Sequence, residues 1–334
     1  MTRTVRFHEI GGPEVMRLED VDPGEPGPGE VLLRVEAIGV NRAEALFRGG
    51  HYIEPVKDLP ARLGAEAAGV IEAVGPPVGP HAAGFAAGQA VSVVPAFSAN
   101  DYGVYAERAI VPAAALVHRP ADVDAISGAA VWMPYVTAYG ALVEVGGLRA
   151  GDTVVINAAS SSVGLAAIHT ALRVGAVPVA VTRTGAKRER LIEEGAAEVI
   201  VSEQDVAGRV LELTAGRGAE YVFDAVAGPG VTDLARAAAP GGTHFLYGAL
   251  SGLPTPYPGF DLGMPALNLR TYTMMETTRD PRRLARAIAF VGAGLRAGAF
   301  RPVVDRVFPL EEIVAAHRHM ESGTRFGKIV VTTG

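Results

Sequence analysis

Residues 154–164, VVINAASSSVG, have the composition of an anion cradle. An apolar strand runs into small side chains and then into a helix start. Small side chains let the backbone approach a pyrophosphate, and a helix N-terminus offers free N–H groups at the positive end of its dipole. Ser160, Ser161, Ser162, Val163 and Gly164 would meet the phosphates. Dinucleotide sites normally carry glycines at these turns. Only Gly164 remains here, so the segment also reads as a serine-rich helix cap with no ligand. The strand–helix–strand context favours the cradle. About 20 residues further on, an NAD site places a carboxylate on the ribose hydroxyls. This chain instead has Thr182, Arg183 and Thr184, followed by Lys187 and Arg188. Arginine grips phosphate bidentately and lysine acts as a point charge. The cluster therefore suits the 2′-phosphate of NADPH; the alternative is an ordinary solvated basic turn.

Other candidate chemistry is weaker. No cysteine occurs in the 334 residues, which removes disulfides, thiolate zinc sites, iron–sulfur clusters and cysteine nucleophiles together. His317 and His319 do not share a helix face and read as residues of a surface helix, not as metal ligands. The pairs Glu193 with Glu194 and Glu311 with Glu312 read as solvent-facing charge on amphipathic helices. A serine nucleophile at Ser160, Ser161 or Ser162 lacks the G-x-S-x-G elbow. The net charge of −6 argues against a nucleic-acid partner, because phosphate binding needs a concentrated basic surface. No apolar run reaches the roughly 20 residues that span a bilayer, and the N-terminal MTRTVRFHEIGG has no signal-peptide core. A cytoplasmic protein with no membrane partner is the expectation.

The elements around these residues fall into two textures. Residues 1–124 hold short apolar runs at 31–35, 70–74 and 90–94, separated by Gly/Pro turns such as DPGEPGPG at 22–29, and predict a barrel-like β domain. From 125 to 146 the chain is alanine-rich and helical, with Pro134 expected to kink or split the helix. Strands at 153–157, 177–181, 199–201, 221–224 and 243–247 then alternate with helices, including 162–174 and 187–194. That alternation predicts a parallel sheet covered on both faces. Pro178 fits such a sheet only near the start of its strand. A helix at 281–297, a β run at 302–308, a helix at 310–320 and a final strand at 328–332 complete the chain.

The whole chain resembles the medium-chain dehydrogenase/reductase superfamily, and several segments read like its zinc-independent quinone oxidoreductase branch. They are EIGGPEV at 9–15, Gly39-Val40-Asn41, GAEAAGVIEAVG at 64–75, TAYGAL at 137–142, Phe223-Asp224, GGTHFLYG at 241–248 and FGKIV at 326–330. The match covers nearly all of the chain. Zinc-dependent members carry a cysteine in the segment held here by GVNRAE (39–44) and a histidine before the glutamate of Gly64-Ala65-Glu66. This chain has Asn41 and Ala65 in those regions, so the ligand set for a zinc-activated alkoxide is missing. Relatives usually show glycines where Ser161 and Ser162 stand, and many show a tyrosine where Ser202 stands.

The resemblance implies an α/β architecture with two parts: a GroES-like β-rich catalytic domain (1–124 and 276–334) and a Rossmann doubly wound parallel-sheet domain (125–275). It implies an active site in the cleft between them, at the carboxyl ends of the parallel strands. Asn41 and Tyr52 match positions near the nicotinamide and substrate. Gly248 and Ala249 match the loop under the nicotinamide ring, and Thr137, Tyr247 and Lys328 join the implied cofactor contacts. The implied reaction is hydride transfer from NADPH to a quinone or an electron-poor C=C, with Asn41, Tyr52 or backbone N–H groups meeting the charge that builds on oxygen. The alternatives are a metal-free alcohol or carbonyl oxidoreductase and a non-catalytic NADPH-binding protein. Trp132 and the 253–264 loop are expected beside the substrate. Relatives also pair the last strand of the nucleotide domain, here expected at 269–274, with its copy in a homodimer.

Overall fold

The structure is a computed structural model, and it describes residues 1–79 and 84–334, with every side chain among them but that of Asp261. The chain begins with β1 (Thr2–Phe7), β2 (Met16–Val21), β3 (Glu30–Val40), α1 (Arg42–Arg48), β4 (Ala61–Arg62), β5 (Ala67–Val74), β6 (Ala90–Val93), β7 (Arg108–Pro112), β8 (Leu116–His118) and α2 (Ala125–Gly128). It continues through α3 (Trp132–Ala138), β9 (Thr153–Ile156), α4 (Ser162–Val174), β10 (Val177–Thr182), α5 (Arg188–Glu193), β11 (Glu198–Val201), α6 (Val206–Leu213), β12 (Ala219–Asp224), α7 (Val231–Arg236), β13 (Ala238–Leu246), β14 (Asn268–Thr271), α8 (Met275–Thr278) and α9 (Pro281–Arg296). It closes with β15 (Val304–Pro309), α10 (Ile313–Glu321) and β16 (Lys328–Thr332).

By internal contacts the chain divides into Met1–Met133 with Pro302–Gly334, and Pro134–Arg301. These bounds differ from those read in the sequence: residues 125–133 go with the first unit and 276–301 with the second. In the first unit, the described residues form a three-stranded sheet, β2-β1-β4, and a larger one in the order β15-β16-β3-β5-β6-β8, with β7 also pairing β3. Along β3, Val31, Leu33 and Val35 are buried in alternation with more exposed neighbours. That period of two turns one face of the strand into a core with Val5, Phe7, Phe47 and Ile329. Fully burying each such side chain contributes about 1.5–3 kcal/mol.

The second unit has six described strands, all parallel, in the order β11-β10-β9-β12-β13-β14. This is the doubly wound order, in which the direction of winding reverses between β9 and β12. The inner strands are apolar on both faces: Thr153, Val154, Val155 and Ile156 are all buried. Pro178 is tolerated as the second residue of β10. It pairs with Val154 of β9, and on the other side its C=O accepts the Ala197 N–H at 2.8 Å just ahead of β11, so the missing N–H falls before the β10–β11 ladder begins.

Pro134 neither kinks nor splits a long helix. It lies in the first turn of α3, where its missing N–H costs nothing, and the break falls earlier, after α2. The last strand of the parallel sheet is shorter than expected, ending at Thr271; Tyr272 still donates its N–H to Leu246 O at 2.8 Å. No helix among the described residues is long and apolar enough to cross a membrane.

Candidate active site

The cradle is built from the end of β9 and the start of α4. Ser161 caps the helix, its hydroxyl accepting the Gly164 N–H at 3.0 Å. The first-turn N–H groups at Ser162 and Val163 have no acceptor inside the helix by position, which leaves them for an anion. Gly164 permits the close fold. A Cβ there would lie 2.6 Å from Ala159 O and 2.7 Å from Ala158 O. Gly248, after β13, is equally constrained, with a Cβ placed 2.7 Å from Ala225 O. Ala158 has φ 53° and Ala227 φ 56°, both where an L side chain is disfavoured. Such backbones cost on the order of 1–3 kcal/mol each and concentrate at functional sites. The residues present thus fit a dinucleotide: a tight glycine-dependent turn, a capped helix start and small side chains.

The basic cluster lies beside this turn. Thr182, the last residue of β10, is buried, and Arg183 and Thr184 are exposed. Lys187 reaches back to the cradle, its Nζ donating to Ser160 Oγ at 3.1 Å. Tyr247 stacks on Phe223 with ring centroids 3.9 Å apart, and Ala249 beyond it is exposed. Thr137 is buried on α3. Below the turn, Asp224 is fully buried at the end of β12. Burial alone would raise its carboxyl, but neighbouring His244, the Val226 N–H and the Asn157 amide hold it below its ordinary value.

In the first unit a buried polar network surrounds Asn41. Lys328 Nζ donates to Asn41 Oδ1 and to Glu66 Oε2, both at 2.5 Å, and Lys328 is 1 % exposed. Asn41 Nδ2 donates to Gly39 O at 3.0 Å and to Glu44 Oε1 at 3.3 Å. Glu44 completes a capping box on α1 by accepting the Asn41 N–H at 2.8 Å, and it also accepts the Ala65 N–H. Burial pushes the Glu44 carboxyl up to about 7, against the Lys328 charge and these bonds. Both Asn41 amide protons are therefore engaged.

The Tyr52 ring meets Phe47 of α1 edge-on, with centroids 6.3 Å apart, and packs against the core of the first unit. Trp132, expected beside the substrate, is 4 % exposed and belongs to the packed interior.

Two residues depart from their sequence readings. His317 is not on a surface. It is fully buried, its Nδ1 2.6 Å from Arg48 Nη1 and its Nε2 3.2 Å from the Tyr105 hydroxyl. Burial and the Arg48 charge lower its pKa to about 3, so the ring is neutral. Glu194 turns inward to His169 Nε2 at 2.9 Å, and His169 Nδ1 meets the Tyr135 hydroxyl at 2.7 Å. His319 pairs with Asp305, so the two histidines of α10 face different partners. Sequence reasoning missed Asp224, Asn157, Glu44 and Glu66 as site-organising residues. Asp224 and Glu66 entered only inside the resembling segments at 223–224 and 64–75, and Glu44 could have been signalled by its place three residues after a cap-forming Asn.

This doubly wound sheet with a phosphate-type turn, inserted into a β-rich unit, defines the fold class of dinucleotide-binding dehydrogenases and reductases. The family described as "Alcohol dehydrogenase GroES-like domain" matches residues 27–121, and the one described as "Zinc-binding dehydrogenase" matches residues 194–331. A quinone oxidoreductase of Pseudomonas aeruginosa is 32% identical, with 99% of each chain covered. A 2-haloacrylate reductase of Burkholderia is 30% identical, also with 99% of each chain covered. A mycobacterial structure complexed with NADPH superposes with a TM-score of 0.88 at 30% identity over 100% of both chains. The chain belongs to the medium-chain dehydrogenase/reductase superfamily, in the quinone oxidoreductase family.

Proposed function

We propose that the protein is an NADPH-dependent reductase of quinones or α,β-unsaturated carbonyl compounds that works without a catalytic metal. The observation that carries the reading is the capped cradle at the ends of β9 and β10, with Lys187 bonded into it, Arg183 exposed beside it and no carboxylate closing β10. The names of the relatives support the substrate class, and the mycobacterial NADPH complex supports the cofactor. The metal-free part rests on chemistry. The chain has no thiolate, and the ammonium of Lys328 already lies between Asn41 and Glu66, where its charge opposes a second cation.

When bound, the reduced nicotinamide supplies a hydride to the electron-poor acceptor. The chain's part is to hold the phosphates on Ser160, Ser161, Ser162, Val163 and Gly164, to read the 2′-phosphate with Thr182, Arg183 and Lys187, and to line the cofactor with Thr137, Tyr247, Gly248, Ala249 and Lys328. Donors must meet the charge that builds on the acceptor oxygen, and losing one such donor typically costs about 10²–10³ in rate. Tyr52 is the side-chain donor we assign. Asn41, with both amide protons engaged, acts by holding Lys328. We further infer a cytoplasmic homodimer formed along β14, whose outer edge has no partner strand among the described residues.

The test is kcat/KM with NADPH and NADH against quinones, 2-alkenals and enones, with simple alcohols and ketones alongside. Charge-assisted hydrogen bonds contribute roughly 1.5–3 kcal/mol each. Two of them, discounted for exposure, give an expected NADPH preference on the order of 10²-fold. Arg183→Ala with Lys187→Ala is expected to remove most of it. Equal use of both cofactors, or turnover confined to alcohols and ketones, would overturn the reading.

A further inference from the structure

The winding of the parallel sheet reverses between β9 and β12, and one buried side chain holds the turns that leave both strands. Asp224 Oδ1 accepts from Asn157 Nδ2 and from the Val226 N–H, each at 2.8 Å. Its Oδ2 accepts the Ala227 N–H at 3.2 Å, and His244 Nε2 lies 3.4 Å away. Asn157 is tied to the neighbouring strand by its N–H to Phe223 O at 2.9 Å, and its Oδ1 accepts the Ala158 N–H at 2.9 Å. The two alanines at the ends of this set of bonds are the ones with φ 53° and 56°. Ala227 also has ψ −151°, a region that essentially only glycine adopts unaided. Left alone, both turns would relax toward ordinary backbone. An amide N–H bonded to a buried carboxylate, directly at Ala227 and through the Asn157 amide at Ala158, is the restraint that prevents it.

We propose that Asp224 is a positioning residue for the cofactor: with Asn157 it holds the turns at 158–163 and 225–228 in the shape that receives NADPH. The inference rests on the NADPH reading above. The carboxylate lies beneath the turns rather than on the ligand, so its effect should appear in cofactor affinity and not in the rate at saturation.

Asp224→Asn separates these outcomes. It keeps an oxygen for Asn157 and Val226 but turns an NH2 toward the Ala227 N–H, which loses its acceptor. By fluorescence titration of the cofactor-free protein, the NADPH Kd is expected to rise about tenfold. KM for NADPH should rise in step, with kcat within about twofold of wild type. Hydrogen exchange at the Ala158 and Ala227 amides of the cofactor-free protein should accelerate in the same variant. Val210→Ala, a buried truncation in α6 on no residue of either turn, measures what lost stability alone does to binding. Should Asp224→Asn not fold, Asn157→Ala reaches the 158–163 turn through a half-buried side chain and carries the same expectation for Ala158. An NADPH Kd unchanged in the folded variants, or weakened no more than in Val210→Ala, overturns the inference and leaves the cofactor reading standing. A wild-type protein that binds no NADPH removes the reading, and the inference with it.

Discussion

His317 and Glu44 are both buried in the first unit and push its stability in opposite directions with pH. His317 has a folded pKa of about 3, below its ordinary 6.5. Between those values the unfolded chain binds a proton that the folded chain refuses, so stability is lost as pH falls from about 6.5 toward 3. Glu44 has a folded pKa of about 7, above its ordinary 4.5. Its contribution is fully present below pH 4.5 and is lost as pH rises toward 7. Each group imposes a slope of about 1.4 kcal/mol per pH unit, and between pH 4.5 and 6.5 the two slopes cancel. Urea unfolding is therefore expected to show Glu44→Gln losing stability on acidification across that window and His317→Gln losing it on alkalinisation. Two variants with the same slope as wild type would show that neither ring nor carboxyl titrates as described. Neither residue was legible in this role from the sequence. The partner of His317, Arg48, lies 269 positions away, and a two-residue spacing on a helix says nothing about what the fold brings to one side of it. The strand, small turn and helix start at 154–164 were legible because all three are local and follow one another within the 11 residues of VVINAASSSVG.

At the scale of elements, those with strong local signals stood where the sequence put them. α4 occupies 162–174 and β16 occupies 328–332, as expected. α9 begins at Pro281, as expected, and Asp280 caps it. Asp280 Oδ1 accepts the Arg282 and Arg283 N–H groups at 2.8 and 3.1 Å, and those bonds hold its carboxyl below the ordinary range. Asp280→Ala is expected to cost about 1 kcal/mol of stability, read as a lower urea midpoint with an unchanged slope. No shift in the midpoint would mean that α9 is held by packing alone. Elements set by tertiary pairing were misjudged. β13 starts at Ala238, five residues before the expected strand at 243, because Ala238 pairs with Ala219 across a register shift that no local pattern announces. The strand expected at 269–274 ends at Thr271, and the chain then turns into α8. The helical stretch expected from 125 divides into α2 and α3 ahead of Trp132, not at Pro134, which sits in the first turn of α3.

For the whole molecule, the proposed homodimer gives a direct measurement. Light scattering at working concentration is expected to return about twice the 34.6 kDa chain mass. A value near 34.6 kDa would leave the β14 edge in need of another explanation. That the strands of the second unit pair in parallel followed from the strand–helix alternation, because parallel neighbours need crossover connections. The sheets of the first unit did not follow in the same way. Their pairings join residues as far apart as Val40 and Ile329, and short apolar runs do not specify partners at that distance.

That pairing also sets an order of assembly during synthesis. β16 lies between β15 and β3, inside the larger sheet of the unit that begins the chain. Until residues 328–332 leave the ribosome, β3 lacks this neighbour and Glu66 lacks the ammonium of Lys328, a buried carboxylate without its counter-charge. The stretch Pro134–Arg301 is uninterrupted and has all its own strands well before then. Domains usually complete themselves in the order they are translated. Here the unit translated first is finished last, and its nascent form waits with an open sheet edge that a holdase chaperone would recognise.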